Sequence, residues 1–282
     1  MSPRKSKATQ SALARAPSPD KIRKALLESA RAAGAVLLKY QGKRLRIREK
    51  LGAGLVTQAD TQAERAALKV LMNAFPDFGY LSEESPAHLS RGLGRFVLDP
   101  LDGTTNFVHG FPMFCVSVAA EWAGEIIGGV IVHPVLGDEY VGIRGKGAYL
   151  NGKRMHVSNT HRLRDSLLST GFTYGKEDWL RAEMLSFERL SGTARAVRRP
   201  GSAALDLAYV ARGVFDGFWE RRLSPWDVAA GSLLIEEAGG CVSNYRGERF
   251  RLGDPEILAS NKRLHAELRM GVAPEFCPLP TS

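Results

Sequence analysis

Apolar residues recur with two different periods along the chain. After Ser18-Pro19 they recur every three or four positions as far as Tyr40, which predicts an amphipathic helix with a serine N-cap and proline at its first position. Short apolar runs bounded by Gly and Pro predict strands. The predicted helices span residues 18–40, 57–74, 177–190, 203–211, 226–238 and 262–270. The predicted strands span residues 78–82, 95–98, 115–122, 126–133, 139–143, 195–198, 215–220 and 257–260.

The order of these elements predicts the fold class. Several strands follow one another in the middle of the chain, with helices before and after them, and residues 41–54 are expected to form a loop or hairpin. Such blocks favour α+β layering over a regular βαβ repeat. We expect a single domain over residues 18–282, with a weak internal boundary near residues 159–164, where the strand-rich part ends.

The charge is unevenly distributed. The chain has 282 residues, 44% of them hydrophobic and 24% charged, which is an ordinary globular composition. Its formal net charge is +9, but residues 1–24 hold seven Lys or Arg and one acid, so the remaining residues carry only +3. We therefore predict a disordered basic tail over residues 1–17 rather than a basic groove. A contact of this tail with nucleic acid or another protein is a minor alternative.

Several classes of protein are disfavoured by what the sequence lacks. The three cysteines form no CxxC pair, and the six histidines form no HxH or HExxH pattern, which argues against a disulfide framework and against zinc. The chain has no GxxxxGK[ST] loop, which argues against an ATP-driven kinase. Neither a secretory leader nor an apolar run of bilayer-spanning length is present, so we expect a cytoplasmic protein without membrane contact.

The most informative segment is LDPLDGTTNF at residues 98–107. A predicted strand ends at Asp99, and Asp102 follows three residues later, so two carboxylates would repel each other unless a cation lies between them. Gly103 permits a close approach of the backbone, and the N–H groups of residues 103–105 can cradle a phosphate at a helix start. The alternative is an Asx-rich turn that caps a helix.

Three further acids gain weight only in combination. Glu83 follows a predicted strand and would otherwise be a solvated surface acid. Asp60 and Asp227 lie near helix starts, where an acid ordinarily compensates the helix dipole or caps the helix. Together with the 98–107 segment these acids offer only oxygen ligands, which suit Mg²⁺ or Mn²⁺. Such a site beside an anion cradle indicates phosphoryl transfer.

At these residues the chain resembles a known family. LVTQAD at 55–60, EES at 83–85, LDPLDGTTNF at 98–107 and SPWDVAAG at 224–231 are similar, in this order, to the motifs of the inositol monophosphatase family. The resemblance covers residues 21–270 and implies the layered αβαβα sandwich shared with fructose-1,6-bisphosphatase. It also implies Mg²⁺-dependent hydrolysis of inositol-1-phosphate, inhibition by lithium and a homodimer.

The same resemblance implies roles for individual residues. Two to three Mg²⁺ ions would be held by Glu83, Asp99, the carbonyl of Leu101, Asp102 and Asp227. The residues implied in catalysis are Asp60, Thr104 and Glu83. The residues implied in substrate binding are Leu101, Asp102, Gly103, Thr104, Gly201, Ser202, Ala203, Glu220 and Asp227.

The sequence departs from the family pattern at three places. Ser82 stands where the family usually has Gly, and Gly54 stands where many members have Asp. Arg221 and Arg222 follow Glu220 and are more basic than usual. If either arginine faces the cavity, a second phosphate or a carboxylate becomes a substrate feature.

Two kinds of alternative function stay open. The metal core alone does not separate an inositol monophosphatase from a fructose-1,6-bisphosphatase, a histidinol-phosphatase or a 3′-phosphoadenosine phosphatase. The resemblance also includes bacterial relatives that bind RNA polymerase and act in ribosomal RNA transcription without catalysis. The intact ligand set favours an enzyme.

Overall fold

The computed structural model describes residues 16–50, 54–172 and 177–272 of the chain. The predicted basic tail lies outside these residues, apart from Ala16 and Pro17. The described helices are α1 (Pro19–Tyr40), α2 (Gln58–Ala74), α3 (Thr104–Val108), α4 (Glu177–Thr193), α5 (Ala203–Ala211), α6 (Pro225–Glu237) and α7 (His265–Gly271). None of the described helices is both long and apolar enough to cross a bilayer.

The strands fall into a hairpin and two sheets. They are β1 (Ile47–Lys50), β2 (Gly54–Thr57), β3 (Gly79–Ser82), β4 (Gly94–Asp102), β5 (Cys115–Trp122), β6 (Glu125–His133), β7 (Asp138–Ile143), β8 (Gly147–Leu150), β9 (Lys153–Arg154), β10 (Leu167–Thr170), β11 (Ala196–Arg198), β12 (Gly217–Arg221), β13 (Cys241–Ser243) and β14 (Glu256–Ser260). Strands β1 and β2 form the hairpin. The larger sheet runs β3-β4-β5-β6-β7-β8-β9, and the smaller one runs β11-β10-β12-β14-β13.

Helices cover both sheets and fill the space between them. On the outer face of the seven-stranded sheet, α1 and α2 bury a core that includes Leu26, Leu71 and Phe96. Helices α5 and α6 lie between the two sheets. On the far face of the five-stranded sheet, α4 and α7 cover a smaller core around Trp219 and Leu268. The result is the α+β layered αβαβα sandwich predicted from the sequence.

Close helix–sheet contact in the middle layer depends on small residues. Gly129 of β6 faces the backbone of Ala230 on α6, where an added Cβ would lie 2.9 Å from the Cα of Ala230. Because cores are packed as densely as crystals, a side chain at Gly129 would push α6 away from the sheet. The small residues after Trp226, which are Ala229, Ala230 and Gly231, therefore permit close packing of α6 on the sheet.

One predicted boundary is shifted for a local reason. The last helix begins at His265 rather than at Lys262. The side-chain carbonyl of Asn261 accepts hydrogen bonds from the N–H groups of Arg263 (3.0 Å) and Leu264 (2.9 Å). Because these bonds hold the backbone in an Asx-type turn, the helix starts only after it.

Candidate active site

Parallel pairing of β3 and β4 brings two acids together. Ser82 pairs with Leu98, and the N–H of Glu83 donates to the carbonyl of Leu98 at 3.3 Å. Glu83, directly after β3, therefore lies beside the C-terminal half of β4, which contains Asp99. Asp99 is 1% exposed, and its Oδ1 accepts a hydrogen bond from the N–H of Leu101 at 2.9 Å.

A register shift in β4 supplies the next acid. The pairing of β4 with β5 is irregular between Asp99 and Asp102, which allows both carboxylates to stay at the same end of the strand. Gly103 then adopts φ of 94°, and a Cβ there would lie 2.8 Å from the carbonyl oxygen of Met113. Only glycine satisfies both conditions, so the turn that starts α3 requires Gly103.

Thr104 and Asp60 form a hydrogen-bonded pair. The hydroxyl of Thr104 lies 3.1 Å from Oδ1 of Asp60 and 3.0 Å from the carbonyl of Leu101, and its single proton is shared between these acceptors. The other carboxylate oxygen of Asp60 accepts from the N–H of Thr57 at 2.8 Å and from its hydroxyl at 2.6 Å. Asp60 thus caps α2 with one oxygen and reaches Thr104 with the other. Burial raises the pKa of Asp60.

The C-terminal half of the chain holds Asp102 from the opposite side. Its Oδ2 accepts hydrogen bonds from the hydroxyl of Ser202 at 2.6 Å and from the N–H of Ala204 at 2.7 Å. Asp227 lies in the first turn of α6, where its Oδ2 accepts from the N–H of Ser224 at 2.7 Å. Ser224 is therefore the N-cap, and Asp227 is the third helical residue.

The electrostatics of these acids fit a hard cation. Burial raises the pKa of Asp99 well above its ordinary value, and the charges of Glu83, Asp102 and Asp227 raise it further. Burial is also the main cause that raises the pKa of Asp102 to about 6, although Ser202 opposes this shift. Carboxylates that repel one another in a buried place are stabilised by a divalent cation with oxygen ligands. The donor set therefore fits Mg²⁺ or Mn²⁺.

The described side chains do not already surround one point as a ready-made cluster of three or more ligands. This agrees with the hydrogen bonds above, because Asp99, Asp102 and Asp227 each direct an oxygen towards a backbone N–H. All four acids, Glu83, Asp99, Asp102 and Asp227, nevertheless line the same cavity. Rotation of a side chain is a small change compared with the long-range folding that assembles the acids.

One cavity of about 670 Å³ collects almost all of the residues predicted for the site. Its lining includes Glu83, Asp99, Leu101, Asp102, Gly103, Thr104, Gly201, Ser202, Ala203, Glu220 and Asp227. Asp60 is fully buried and lies behind Thr104 rather than in the lining. The structure therefore brings these residues together around one cavity.

Glu64, which was not predicted from the sequence, anchors the loop that contains Glu83. Glu64 lies one turn after Asp60 on α2 and is 3% exposed. Its carboxylate accepts from the hydroxyl of Ser82 at 2.7 Å, from the N–H of Glu84 at 3.0 Å and from the hydroxyl of Ser85. The departure at Ser82 is thus part of this anchor. An acid four residues after Asp60, on the same helix face, is the signal that was available.

A second missed residue is Asn106, which joins the two halves of the site. Its amide nitrogen donates to the carbonyl of Met113 at 2.7 Å and to that of Pro200 at 2.9 Å. These bonds fix α3 against the loop that contains Gly201, which has φ of 86°. The position of Asn106 within the 98–107 segment is the only sequence signal for this role.

The two arginines after Glu220 differ in their surroundings. Arg221 is 1% exposed and forms ion pairs at 2.8 Å with both Glu183 and Glu256, so its charge is compensated inside the protein. Arg221 and Arg222 both contribute to the cavity lining, as does Arg199, but only Arg222 of the pair is exposed. A buried acid that the sequence analysis did not single out, Asp206 of α5, also lines the cavity. Burial raises its pKa well above the ordinary value, and the charge of Glu220 adds to the shift.

The layered sandwich with its acid-lined cavity is typical of hydrolases that act on phosphate esters. The inositol monophosphatase family matches residues 18–275, so the chain belongs to that family. Membership supports phosphatase activity on a phosphorylated small molecule, in a family that is generally metal-dependent.

Individual relatives bear two kinds of name. The chain is 42% identical over 226 residues to an inositol-1-monophosphatase of Rhizobium meliloti, with 80% of this chain and 85% of that protein covered. It is 39% identical over 259 residues to the Nus factor SuhB of Pseudomonas aeruginosa, with 89% and 96% covered. The crystal structure of extragenic suppressor protein suhB from Bartonella henselae matches with a TM-score of 0.86 at 38% identity, with 89% of this chain and 98% of that chain covered.

Proposed function

We propose that the protein is a Mg²⁺-dependent phosphatase that converts inositol-1-phosphate into inositol and phosphate. The observation that carries this proposal is the proximity of Glu83, Asp99, Asp102 and Asp227 in one cavity, where their charges raise the pKa of Asp99. Four acids without a cation would be costly to bury together. Homodimerisation and inhibition by lithium belong to the same proposal, as does a single catalytic domain over residues 18–282.

Each side chain has a proposed task in the reaction. The four acids and the carbonyl of Leu101 are the proposed ligands. When bound, Mg²⁺ lowers the pKa of water and neutralises charge on the phosphate and on the leaving oxygen. The Thr104 hydroxyl donates a hydrogen bond to Asp60. A lone pair of the Thr104 oxygen can then accept a hydrogen bond from the attacking water. The N–H groups of Gly103 and Thr104 are the proposed phosphate donors.

The alcohol side of the substrate is proposed to lie against the C-terminal half of the cavity. Gly201, Ser202 and Ala203 line this part, and Glu220 can accept hydrogen bonds from substrate hydroxyls. Arg222 also lines the cavity, so substrates with a second phosphate remain the main alternatives. These are fructose-1,6-bisphosphate and 3′-phosphoadenosine-5′-phosphate, with histidinol phosphate as a monophosphate alternative.

Phosphate release with Mg²⁺ from these four esters tests the proposal. Inositol-1-phosphate should have the highest kcat/KM, and Asp102→Asn should lower it on the order of 100-fold or more, because one charge that holds the cation is removed. Asp165→Asn is the matched control, since Asp165 is an exposed acid paired with Arg195. If a bisphosphate is preferred, the substrate is wrong but the metal site stands. If the folded protein releases phosphate from none of the esters, the enzyme proposal is wrong.

A second candidate role comes from the relatives that are named Nus factors. Such a role, binding to RNA polymerase in ribosomal RNA transcription, needs no catalysis. It predicts that the protein binds RNA polymerase and that binding is unchanged in Asp102→Asn. Loss of binding in that variant, while its melting temperature is unchanged, would contradict a role independent of the catalytic site.

A further inference from the structure

Outside residues 1–24, which comprise the N-terminal tail and the start of α1, the basic excess of the chain is confined to one segment. Residues 39–74 contain eight Lys or Arg and three Asp or Glu, whereas residues 75–282 contain 23 Lys or Arg and 25 Asp or Glu. The larger part of the protein is therefore slightly acidic. The positive charge that remains after residue 24 is a local feature and not a general property of the surface.

The fold turns this segment into an exposed basic face. Its members are the cations of the α1–β1 connection, of β1 and of the outer side of α2, all of them exposed. They are Lys39, Lys43, Arg44, Arg46, Arg48, Arg65 and Lys69. Two of the three acids in the segment, Asp60 and Glu64, are buried and bonded within the site described above. Folding thus removes the compensating charges from this surface and leaves Glu49 as its one exposed acid.

Three arginines elsewhere on the surface have acidic partners from distant parts of the chain. Arg31 pairs with Glu139 at 2.6 Å, Arg95 with Glu121 at 2.8 Å, and Arg249 with Glu125 at 3.0 Å, although their distances along the sequence are large. Within the described residues, no member of the basic face takes part in a comparable ion pair. Unlike Arg31, Arg95 and Arg249, these cations are left available for charges outside the protein.

The backbone holds the cations of the connection in a fixed direction. Leu45 is partly buried and packs against the core beneath α1 and α2, while its neighbours Arg44 and Arg46 are exposed. The N–H of Arg46 donates to the side chain of Gln58 at the start of α2, at 2.6 Å. Arg65 lies on α2 about 12 Å along the helix axis from Thr57, given a rise of about 1.5 Å per residue. The basic face therefore consists of exposed cations on elements that are packed together.

We propose that this basic face binds the phosphodiester backbone of a nucleic acid strand. Four of its seven cations are arginines, whose planar guanidinium groups pair with phosphate in a bidentate manner. Several uncompensated cations on one segment are complementary to a polymer with one charge per nucleotide, and such contacts position the strand without reading its sequence. The face adjoins the catalytic cavity, since Gly54 and Leu55 of β2 line that cavity. Binding here does not depend on phosphatase activity.

The test is the salt dependence of binding to a fluorescently labelled single-stranded RNA of mixed sequence. The full-length protein is compared with the triple variant Arg44→Gln, Arg46→Gln, Arg48→Gln. Because each phosphate contact to a single strand contributes about 0.7 to the slope of log K against log[salt], losing three contacts should reduce that slope by about 2. The control removes the same charge elsewhere on the exposed surface, with Arg162→Gln, Arg164→Gln and Lys262→Gln. Both variants retain the N-terminal tail.

We expect the control to keep the slope of the unmodified protein while the basic-face variant loses about 2, with equal melting temperatures. Equal weakening in both variants would show an effect of net charge alone and overturn the proposal. Unchanged binding in the basic-face variant would assign RNA binding to the tail and also overturn it. Displacement of the RNA by an equal charge concentration of polyglutamate would indicate an acidic polypeptide as the partner instead.

Discussion

The buried arginine beside the candidate site gives the sharpest prediction about stability. Arg221, at the end of β12, forms ion pairs at 2.8 Å with Glu183 of α4 and with Glu256 of β14. The side chains of Arg221 and Glu183 are fully buried, and that of Glu256 is 6% exposed. The guanidinium also lies 4.5 Å from the centre of the Tyr245 ring. One cation thus compensates two acids that cannot reach water.

Replacing Arg221 with Met should therefore lower the free energy of unfolding by about 3 to 5 kcal/mol, the usual cost of removing one partner from a buried ion pair. Burial already raises the pKa of Glu183 to about 7, against the opposing charge of Arg221, and the variant should raise it further. When the pKa of an acid is higher in the folded than in the unfolded state, the protein loses stability as the pH rises from the unfolded to the folded pKa. The loss caused by the substitution should thus be larger at pH 8 than at pH 5.5.

Equilibrium unfolding in urea at these two pH values measures both effects. Arg249→Met is the matched control, because Arg249 is 50% exposed and pairs with Glu125 at 3.0 Å, and a surface pair contributes about 1 kcal/mol or less. A loss below about 1 kcal/mol for Arg221→Met, or one equal to that of the control, would refute the compensation argument. A loss that does not shrink at pH 5.5 would refute the part assigned to Glu183.

Two further predictions use other parts of the fold. His265 lies between the hydroxyls of Ser243 and Ser260, each at 2.8 Å, and burial lowers its pKa to about 4. As the pH falls from 6.5 to 4, the histidine of the unfolded chain takes up a proton before that of the folded protein does. The free energy of unfolding should therefore fall by up to about 3 kcal/mol over this range. Urea unfolding should show a flatter pH profile for His265→Gln, and parallel profiles would contradict this. In Gly171→Ala the new Cβ would overlap the carboxylate of Glu220, so KM for inositol-1-phosphate should rise while KM for p-nitrophenyl phosphate stays constant. An unchanged ratio of the two KM values would contradict the substrate role of Glu220.

The sequence predicts long periodic elements better than short ones. The helix α1 ends and begins where its cap and its apolar face predict, and Ile22, Leu26 and Leu37 of that face are buried. Strands β10 and β13, of four and three residues, were not predicted. The β8–β9 hairpin was missed although Asn151-Gly152, with positive φ at both residues, is a typical two-residue hairpin turn.

For the site, local motifs identify the acids but not what holds them. Asp99 and Asp102 are close because they are three residues apart, and the sequence alone indicates this. The bond from Ser202 to Asp102 joins residues 100 positions apart and depends on both sheets being formed. The support of Glu83 by Glu64 likewise depends on α2 packing beside the end of β3. Such contacts follow from tertiary packing, which no periodicity encodes.

An acid at a helix start can cap the helix and belong to the candidate site at the same time. In Asp60, one oxygen accepts from the backbone N–H of Thr57 while the other meets Thr104, so the same carboxylate stabilises α2 and orients a side chain of the cavity. Asp227 repeats this arrangement on α6, with one oxygen on the N–H of Ser224 and a contact to Asp99. A cap fixes the rotamer of its side chain, because the backbone donor cannot move without unwinding the helix. The caps therefore hold two acids at set positions in a buried, mutually repelling group. Helix capping accounts for only one oxygen of each acid, the one that accepts from the backbone.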